Sequence, residues 1–283
     1  MTAIEDYESN VENEWCPGCG NFGILEAMKK ALVALGLAPH QILIVSGIGQ
    51  AAKTPHFLRC NALHGLHGRA LPVAAGAKLA NHDLTILVNS GDGDCYGEGG
   101  NHFMHAIRRN LDLTLIVHDN RVYGLTKGQG SPTSDLGMVT RLQPQGTVSE
   151  PFNPLAVALA LGAGFVARGF SGDPDHLAAL IQAGIRHRGF ALIDVLQPCV
   201  SFNRVQTHGW YKQRVFDLQA ENHPRNDWTA AMDRARQWGE RIPIGLFYQE
   251  TKPTFTDRIQ VLGRGPLIDQ PVPAVDWAAL MDA

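Results

Sequence analysis

The 283-residue chain has no apolar run of the roughly 18–20 residues that a bilayer-crossing helix needs. Its opening stretch, MTAIEDYESNVENE, is polar and acidic, whereas a signal peptide is basic and then apolar. Membrane association is therefore not expected, and a cytoplasmic location is. A basic block is missing too: 24 Lys and Arg stand against 27 Asp and Glu, which argues against a nucleic-acid footprint. Cysteine is scarce. Cys16, Cys19, Cys60, Cys95 and Cys199 are odd in number and irregular in spacing, which suits metal or redox chemistry better than a disulfide framework. The length is enough to bury a sizeable core, in one large domain or two ordinary ones.

What is present centres on Gly91 to Asn120, GDGDCYGEGGNHFMHAIRRNLDLTLIVHDN. LTILVNS (84–90) reads as a buried strand running into an acidic glycine turn and then a helix, the arrangement that brings backbone N–H groups to a phosphate. LDLTLIV (111–117) reads as a parallel strand that returns Asn120 to the sheet edge beside Asp92. A carboxylate and an amide oxygen side by side suit Mg²⁺, which takes its remaining ligands from diphosphate and water.

Upstream, EWCPGCG (14–20) is a tight turn with a thiol on each side, so Cys16 and Cys19 are placed to grip one metal centre. A helix follows over Phe22 to Leu35, with Leu25, Met28, Leu32 and Leu35 on one face. ILIVSGIGQ (42–50) is a buried strand entering a glycine loop, and LPVAAGAKLAN (71–81) a small-residue helix; the segment between them is irregular. Residues 121–154 form a long Gly, Pro, Ser and Thr-rich loop of the functional or disordered kind. Helix 154–164, strand 165–169, a helix from Pro174 capped by Asp173, and strand 191–196 complete the alternation. The expected fold is α/β, an open, mostly parallel sheet with helices on both faces. Residues 1–200 form the expected core domain. Residues 201–283 are an irregular extension wrapping the core or a partner, with one helix near Trp228, a strand at 244–249 and a Pro-rich tail at 263–275.

The GDGD turn followed by HDN resembles the thiamine-diphosphate signature. Joined to WCPGCGNFGIL (15–25), SGIG (46–49), HGLHGR (64–69), YGLTKGQGSPTS (123–134) and QPCVSFN (197–203), it makes the chain similar to the β subunit of 2-oxoacid:ferredoxin oxidoreductases, with the blocks in that family's order. The resemblance implies the thiamine diphosphate-binding fold of its diphosphate-type domain. It implies that Asp92, Asn120 and the carbonyl of Val122 bind Mg²⁺, and that Gly91, Gly93 and Asp94 shape or contact the diphosphate. Ile48, Gly49, His67, Gly68, Tyr123, Gly124 and Leu125 match blocks that line the thiamine site, with His67 singled out as a catalytic candidate. Lys53 and Lys127 are expected to meet a substrate carboxylate or the phosphates of CoA.

The resemblance further implies a [4Fe–4S] cluster. Cys16, Cys19 and Cys199 match three of its ligand positions, and Gln50 occupies the fourth. Cys60 is the expected replacement, preferred over Cys95 because Cys95 lies on the diphosphate turn. The implied reaction is CoA-dependent oxidative decarboxylation of a 2-oxoacid, with 2-oxoglutarate favoured, and single-electron transfer to ferredoxin. The implied partner is an α subunit that supplies the ylid-forming Glu and part of the substrate site, in a dimer of αβ heterodimers. Two other readings stand beside this one: a thiamine-dependent decarboxylase or synthase subunit without electron transfer, and a zinc-stabilised diphosphate-binding module without catalysis.

Overall fold

The central strands form where apolar runs are covered on both faces, and alternate residues of each run supply two separate cores. In the computed structural model, which describes residues 2–272 and residue 281, the chain runs β1 (Ile42–Ser46), β2 (Asn61–His64), β3 (Thr85–Gly91), β4 (Leu113–Asp119), β5 (Val122–Tyr123), β6 (Gln129–Gly130), β7 (Phe165–Phe170), β8 (Phe190–Leu196), β9 (Val215–Asp217) and β10 (Ile242–Gln249). The helices are α1 (Asn21–Ala34), α2 (Thr54–Phe57), α3 (Ala70–Ala80), α4 (Gly100–Arg109), α5 (Pro154–Ala160), α6 (Pro174–Arg186), α7 (His208–Lys212) and α8 (Trp228–Ala235).

Eight strands form one sheet in the order β2-β1-β3-β4-β8-β7-β10-β9, and β5 with β6 forms a small hairpin apart from it. All neighbours in the large sheet are parallel except β10 against β7. In β8, Phe190 and Leu192 enter one core together with Phe103 of α4, while Ala191, Ile193 and Val195 enter the other with Met28 of α1 and Ile181 of α6. Sequence and structure therefore agree on a mostly parallel sheet covered on both faces. The helix starts follow local chemistry: Asp173 accepts from the N–H of His176 at 3.1 Å, and Pro174 occupies the first turn, where a missing N–H costs nothing.

Three segments depart from expectation. The irregular stretch before α3 contains β2, an edge strand exposed along its whole length, which no apolar periodicity reveals. The turn after β3 is a π-helical segment, Gly93–Glu98. The region after residue 201 is more than a wrapping extension, because β9 and β10 complete the sheet and α8 packs against α5. The strand placed at 244–249 begins two residues earlier, and nearly all of it is buried. The Pro-rich tail begins inside a short 3₁₀ turn at Gln260–Arg264 and carries another at Leu267–Asp269, and 273–275 lie outside the described residues.

The strand order reverses between β1 and β3, since the chain runs from β1 outward to β2 and from β3 outward to β4. Carboxyl ends of strands open a crevice at such a reversal. Beneath it, His118 of β4 is fully buried between two amides: its Nδ1–H donates to Asn21 Oδ1 at 2.8 Å, and its Nε2 accepts from Asn89 at 3.0 Å. Burial holds its pKa down from 6.5 to about 3. The unfolded chain takes up a proton that the folded chain refuses, so this contribution is present above pH 6.5 and is lost as pH falls toward about 3. His118→Gln should accordingly flatten the loss of stability between pH 6.5 and 3 in urea titrations of the full chain. An unchanged slope would show that the acid sensitivity arises elsewhere.

Candidate functional site

Five segments meet at this crevice. The loop after β1 brings Ile48 and Gly49, the turn before α3 brings His67, and the end of β3 brings Gly91 to Asp94. The end of β4 brings Asn120, and β5 with its turn brings Val122, Tyr123, Gly124 and Leu125. All of these line one cleft of about 460 Å³, together with Gln50, Ala51 and Thr126. Gly68 sits behind the wall and contributes through its backbone.

Asp94 holds the segments together. Its Oδ1 accepts from the N–H of Gly68 at 2.7 Å, the N–H of Ile48 at 3.1 Å and Nδ1 of His67 at 2.8 Å, and its Oδ2 accepts from the Ser90 hydroxyl. Asp94, expected to shape or contact the diphosphate, lines the cleft and fixes the loops that form it. In the neutral tautomer the contact keeps the His67 proton on Nδ1 and leaves Nε2 as an acceptor. Gly47 is needed for the approach, since a Cβ there would fall 2.0 Å from Asp94 Oδ2, and Gly93 likewise, since its Cβ would meet the Tyr123 ring at 2.2 Å.

Asp92, 2% exposed, faces the same cleft. Its Oδ2 accepts from Ser131 Oγ at 2.5 Å and Thr133 Oγ1 at 2.6 Å, and Thr133 Oγ1 also lies 2.7 Å from Asp119 Oδ1. One hydroxyl proton cannot serve two carboxylates, so one of the pair is best protonated when no cation is near. Burial and then the neighbouring Asp119 push Asp92 above the ordinary carboxylate range, and burial does the same to Asp119. A divalent cation would relieve both. The donor set fits Mg²⁺: a buried carboxylate and Asn120, whose Oδ1 is oriented by the Val122 N–H at 3.0 Å. Ser131 and Thr133 escape the sequence reading. Two hydroxyls in a Gly- and Pro-rich loop carry no periodic signal, and only their proximity to the acidic turn in space reveals them.

A second pocket adjoins the first and shares Gln50, Asn120 and Gly124 with it. Cys16, Cys19 and Cys199 line it, joined by Trp15, Asn21, Gln197, Val200, Ser201 and Phe202. The N–H of Gly20 donates to Pro198 O at 3.2 Å, which ties the CxxC turn to the segment after β8. Ser201 Oγ donates to Cys16 Sγ at 3.2 Å, and Gln197 Nε2 to Cys19 Sγ at 3.4 Å. Burial, with the neighbouring Cys199 and Cys16 adding to it, pushes the Cys19 thiol up to about 11. Among the described residues, no three His, Cys, Asp or Glu side chains close around the point a single metal ion would occupy.

Cys60 is not among them. Asn61 pairs with Leu43 near the start of β1, so Cys60 lies at the amino-end edge of the sheet, and its thiol donates to Asn61 O at 3.3 Å. Cys95 is buried in the apolar core with Tyr96 and Phe103. The four-thiolate set expected from the sequence is therefore incomplete, with Gln50 standing beside the three thiols that meet. The lysines also fall outside the cleft. Lys53 pairs with Glu14 at 3.4 Å, and Lys127 is exposed with a φ of 81°.

Residues 43–195 match the family model for the thiamine pyrophosphate enzyme C-terminal TPP binding domain, and residues 199–264 match that for the C-terminal part of the pyruvate ferredoxin oxidoreductase β subunit. The 2-oxoacid:ferredoxin oxidoreductase subunit beta of a Sulfolobus species is 46% identical over 88% of this chain and 86% of its own. Its counterpart from Saccharolobus solfataricus is 48% identical over 87% of this chain and 85% of its own. A 2-oxoglutarate:ferredoxin oxidoreductase from Magnetococcus marinus, solved with 2-oxoglutarate, coenzyme A and succinyl-CoA bound, superposes with a TM-score of 0.91 at 38% identity, covering 99% of this chain and 95% of that one.

Asp94→Ala leaves the N–H groups of Ile48 and Gly68 and the Ser90 hydroxyl without their acceptor. It should destabilise the chain by about 2–4 kcal/mol and weaken thiamine diphosphate binding at saturating Mg²⁺ in calorimetric titrations. If stability and affinity both stayed at wild-type values, Asp94 would not be what holds the crevice.

Proposed function

The chain belongs to the β-subunit family of 2-oxoacid:ferredoxin oxidoreductases, with an α subunit implied as partner, and we propose that its crevice at the β1/β3 reversal is the diphosphate half of a split thiamine site acting on 2-oxoglutarate. The observation that carries this reading is the meeting of loops from β1, β3, β4 and the β5 turn around Asp92 and Asn120 in one cleft. Thiamine diphosphate, when bound, supplies the electron sink for decarboxylating a 2-oxoacid. This chain's part is to hold and orient it. Asp92, Asn120 and the Val122 carbonyl would hold Mg²⁺ against the diphosphate, Ser131 and Thr133 keep the Asp92 carboxylate oriented, and Asp94 fixes the loops of Ile48 and Gly68. His67 stands on the cleft wall with its proton committed to Asp94 and offers Nε2 as an acceptor at the cofactor or substrate.

An iron–sulfur cluster, when bound, supplies a one-electron acceptor. Cys16, Cys19 and Cys199 would hold it, beside a cleft whose wall they share through Gln50 and Gly124. A set of four cysteines does not fit. Ferredoxin is the proposed destination of the electrons, the acyl group leaves on CoA, and the assembly is a dimer of αβ heterodimers. The choice of 2-oxoglutarate draws on the relative from Magnetococcus marinus and on the 2-oxoglutarate oxidoreductase subunit KorB of Mycobacterium tuberculosis, 45% identical over 70% of this chain and 53% of its own. Among the described residues no lysine or arginine lines the cleft. We assign the second carboxylate of 2-oxoglutarate mainly to the α subunit.

Anaerobic co-purification with the α subunit, followed by initial rates of CoA-dependent viologen reduction, tests the reading. 2-Oxoglutarate is expected to outpace pyruvate, and Asp92→Ala should lower Mg²⁺-dependent thiamine diphosphate affinity by more than about 100-fold. Full activity from this chain without a partner, or no dependence on thiamine diphosphate, would sink it. Lys53→Ala and Lys127→Ala should each leave the 2-oxoglutarate to pyruvate rate ratio unchanged; a shift toward pyruvate in either variant would return that lysine to the substrate site.

A further inference from the structure

Of the five cysteines, three reach one pocket and two are held elsewhere by the fold. Cys60 sits before β2, at the far edge of the sheet from that pocket. The intervening length of β1 is roughly 13 Å at about 3.3 Å per residue. Bringing Cys60 across would break the β1–β2 pairing, in which Asn61, its neighbour in the chain, is the first partner. Cys95 points into the core under α4 and would have to leave it. Neither can serve the pocket without local unfolding, of the β1–β2 pair for Cys60 and of the Gly93–Glu98 turn for Cys95.

Gln50, the residue at the position where a fourth thiolate is expected, also lines the pocket. Trp15, the residue before Cys16, donates from its indole Nε1 to Gln50 O at 2.8 Å, so position 50 is fixed to the CxxC segment by a direct bond. Gln50 lines both the thiol pocket and the cleft, and its side chain packs beside Gly124, where a built Cβ would come within 3.8 Å of Gln50 Cγ. A carboxamide is neutral and hard, whereas iron in a sulfide cluster prefers a thiolate. We infer that the cluster of this chain is held by three cysteinates, from Cys16, Cys19 and Cys199, and that its fourth iron has no thiolate, faces Gln50 and the thiamine cleft, and is exchangeable. The inference rests on the cluster reading given above and narrows it.

A three-thiolate [4Fe–4S]²⁺ centre gives up one electron to ferricyanide and releases Fe²⁺, leaving [3Fe–4S]⁺; charge and iron balance. The test uses the anaerobically purified complex with the α subunit, treated with stoichiometric ferricyanide and compared with Gln50→Cys and Cys60→Ser complexes. The wild-type complex should release about one iron per β chain, develop the paramagnetic resonance of [3Fe–4S]⁺, and recover on adding Fe²⁺ with a reductant. Gln50→Cys should keep that iron and stay silent under the same treatment, and Cys60→Ser should behave as wild type. Retention of all iron by the wild type, or loss of the cluster in Cys60→Ser, overturns the inference while leaving a cluster in place. Absence of β-chain iron from the untreated complex, measured as no difference from a Cys199→Ala complex, rejects the cluster reading itself. Should Gln50→Cys fail to assemble, the wild-type release and Cys60→Ser still decide.

Discussion

The carboxylate of Asp94 gathers four donors from three separate segments, and the ligand edge of the sheet hangs on that convergence. A parallel sheet delivers its strand ends to one edge but does not fix the loops that leave them. Here the loop after β1, the turn before α3 and the end of β3 are fixed relative to one another by one buried, hydrogen-bonded anion. Charge-assisted bonds of this kind are stronger than neutral ones, and the missing side chain at Gly47 is what lets the carboxylate come so close.

Directly behind lies a buried electrostatic system that is unbalanced without a cation. Asp92, Asp119 and Asp194 are all buried, and burial drives each of them toward the protonated form. Arg121 and Arg168 are buried among them; Arg168 lies 3.8 Å from Asp194 and stacks near Trp238 and Phe247. Arg121 also pairs with Asp135 at 2.8 Å, so two guanidinium groups face four carboxylates, and the acid on the cleft is Asp92. Buried ionised groups are costly unless paired, so the folded chain carries a standing preference for a positive ion at that carboxylate.

The fold was legible wherever burial left a periodic trace. β3, β4, β7 and β8 are covered on both faces and read as unbroken apolar runs, and the acidic turn between β3 and α4 announced itself by composition. β2 gave no such trace because an exposed edge strand has no face to bury. The meeting of Asp92 and Asn120 in one cleft was legible because the strand ends define where they arrive, whereas the meeting of the thiols was only partly so. A count of cysteines says nothing about which edge of the sheet each one occupies, and β2, the element missed, is what carries Cys60 away. For Lys53 and Lys127 the sequence offers suitable chemistry near a motif but no side-chain direction; Lys53 faces Glu14 and Lys127 is exposed.

The segment matching the thiamine-enzyme domain runs from 43 to 195, yet all three pocket cysteines lie outside it, two before and one after. The thiol pocket is thus assembled largely from the two flanks of that segment, which are joined by the bond from Gly20 to Pro198. Gln50, Asn120 and Gly124 are the parts of its wall contributed from within. Substitutions in the flanks can reshape the thiol pocket while the cleft beside it stays intact, and a change at position 50 is felt by both.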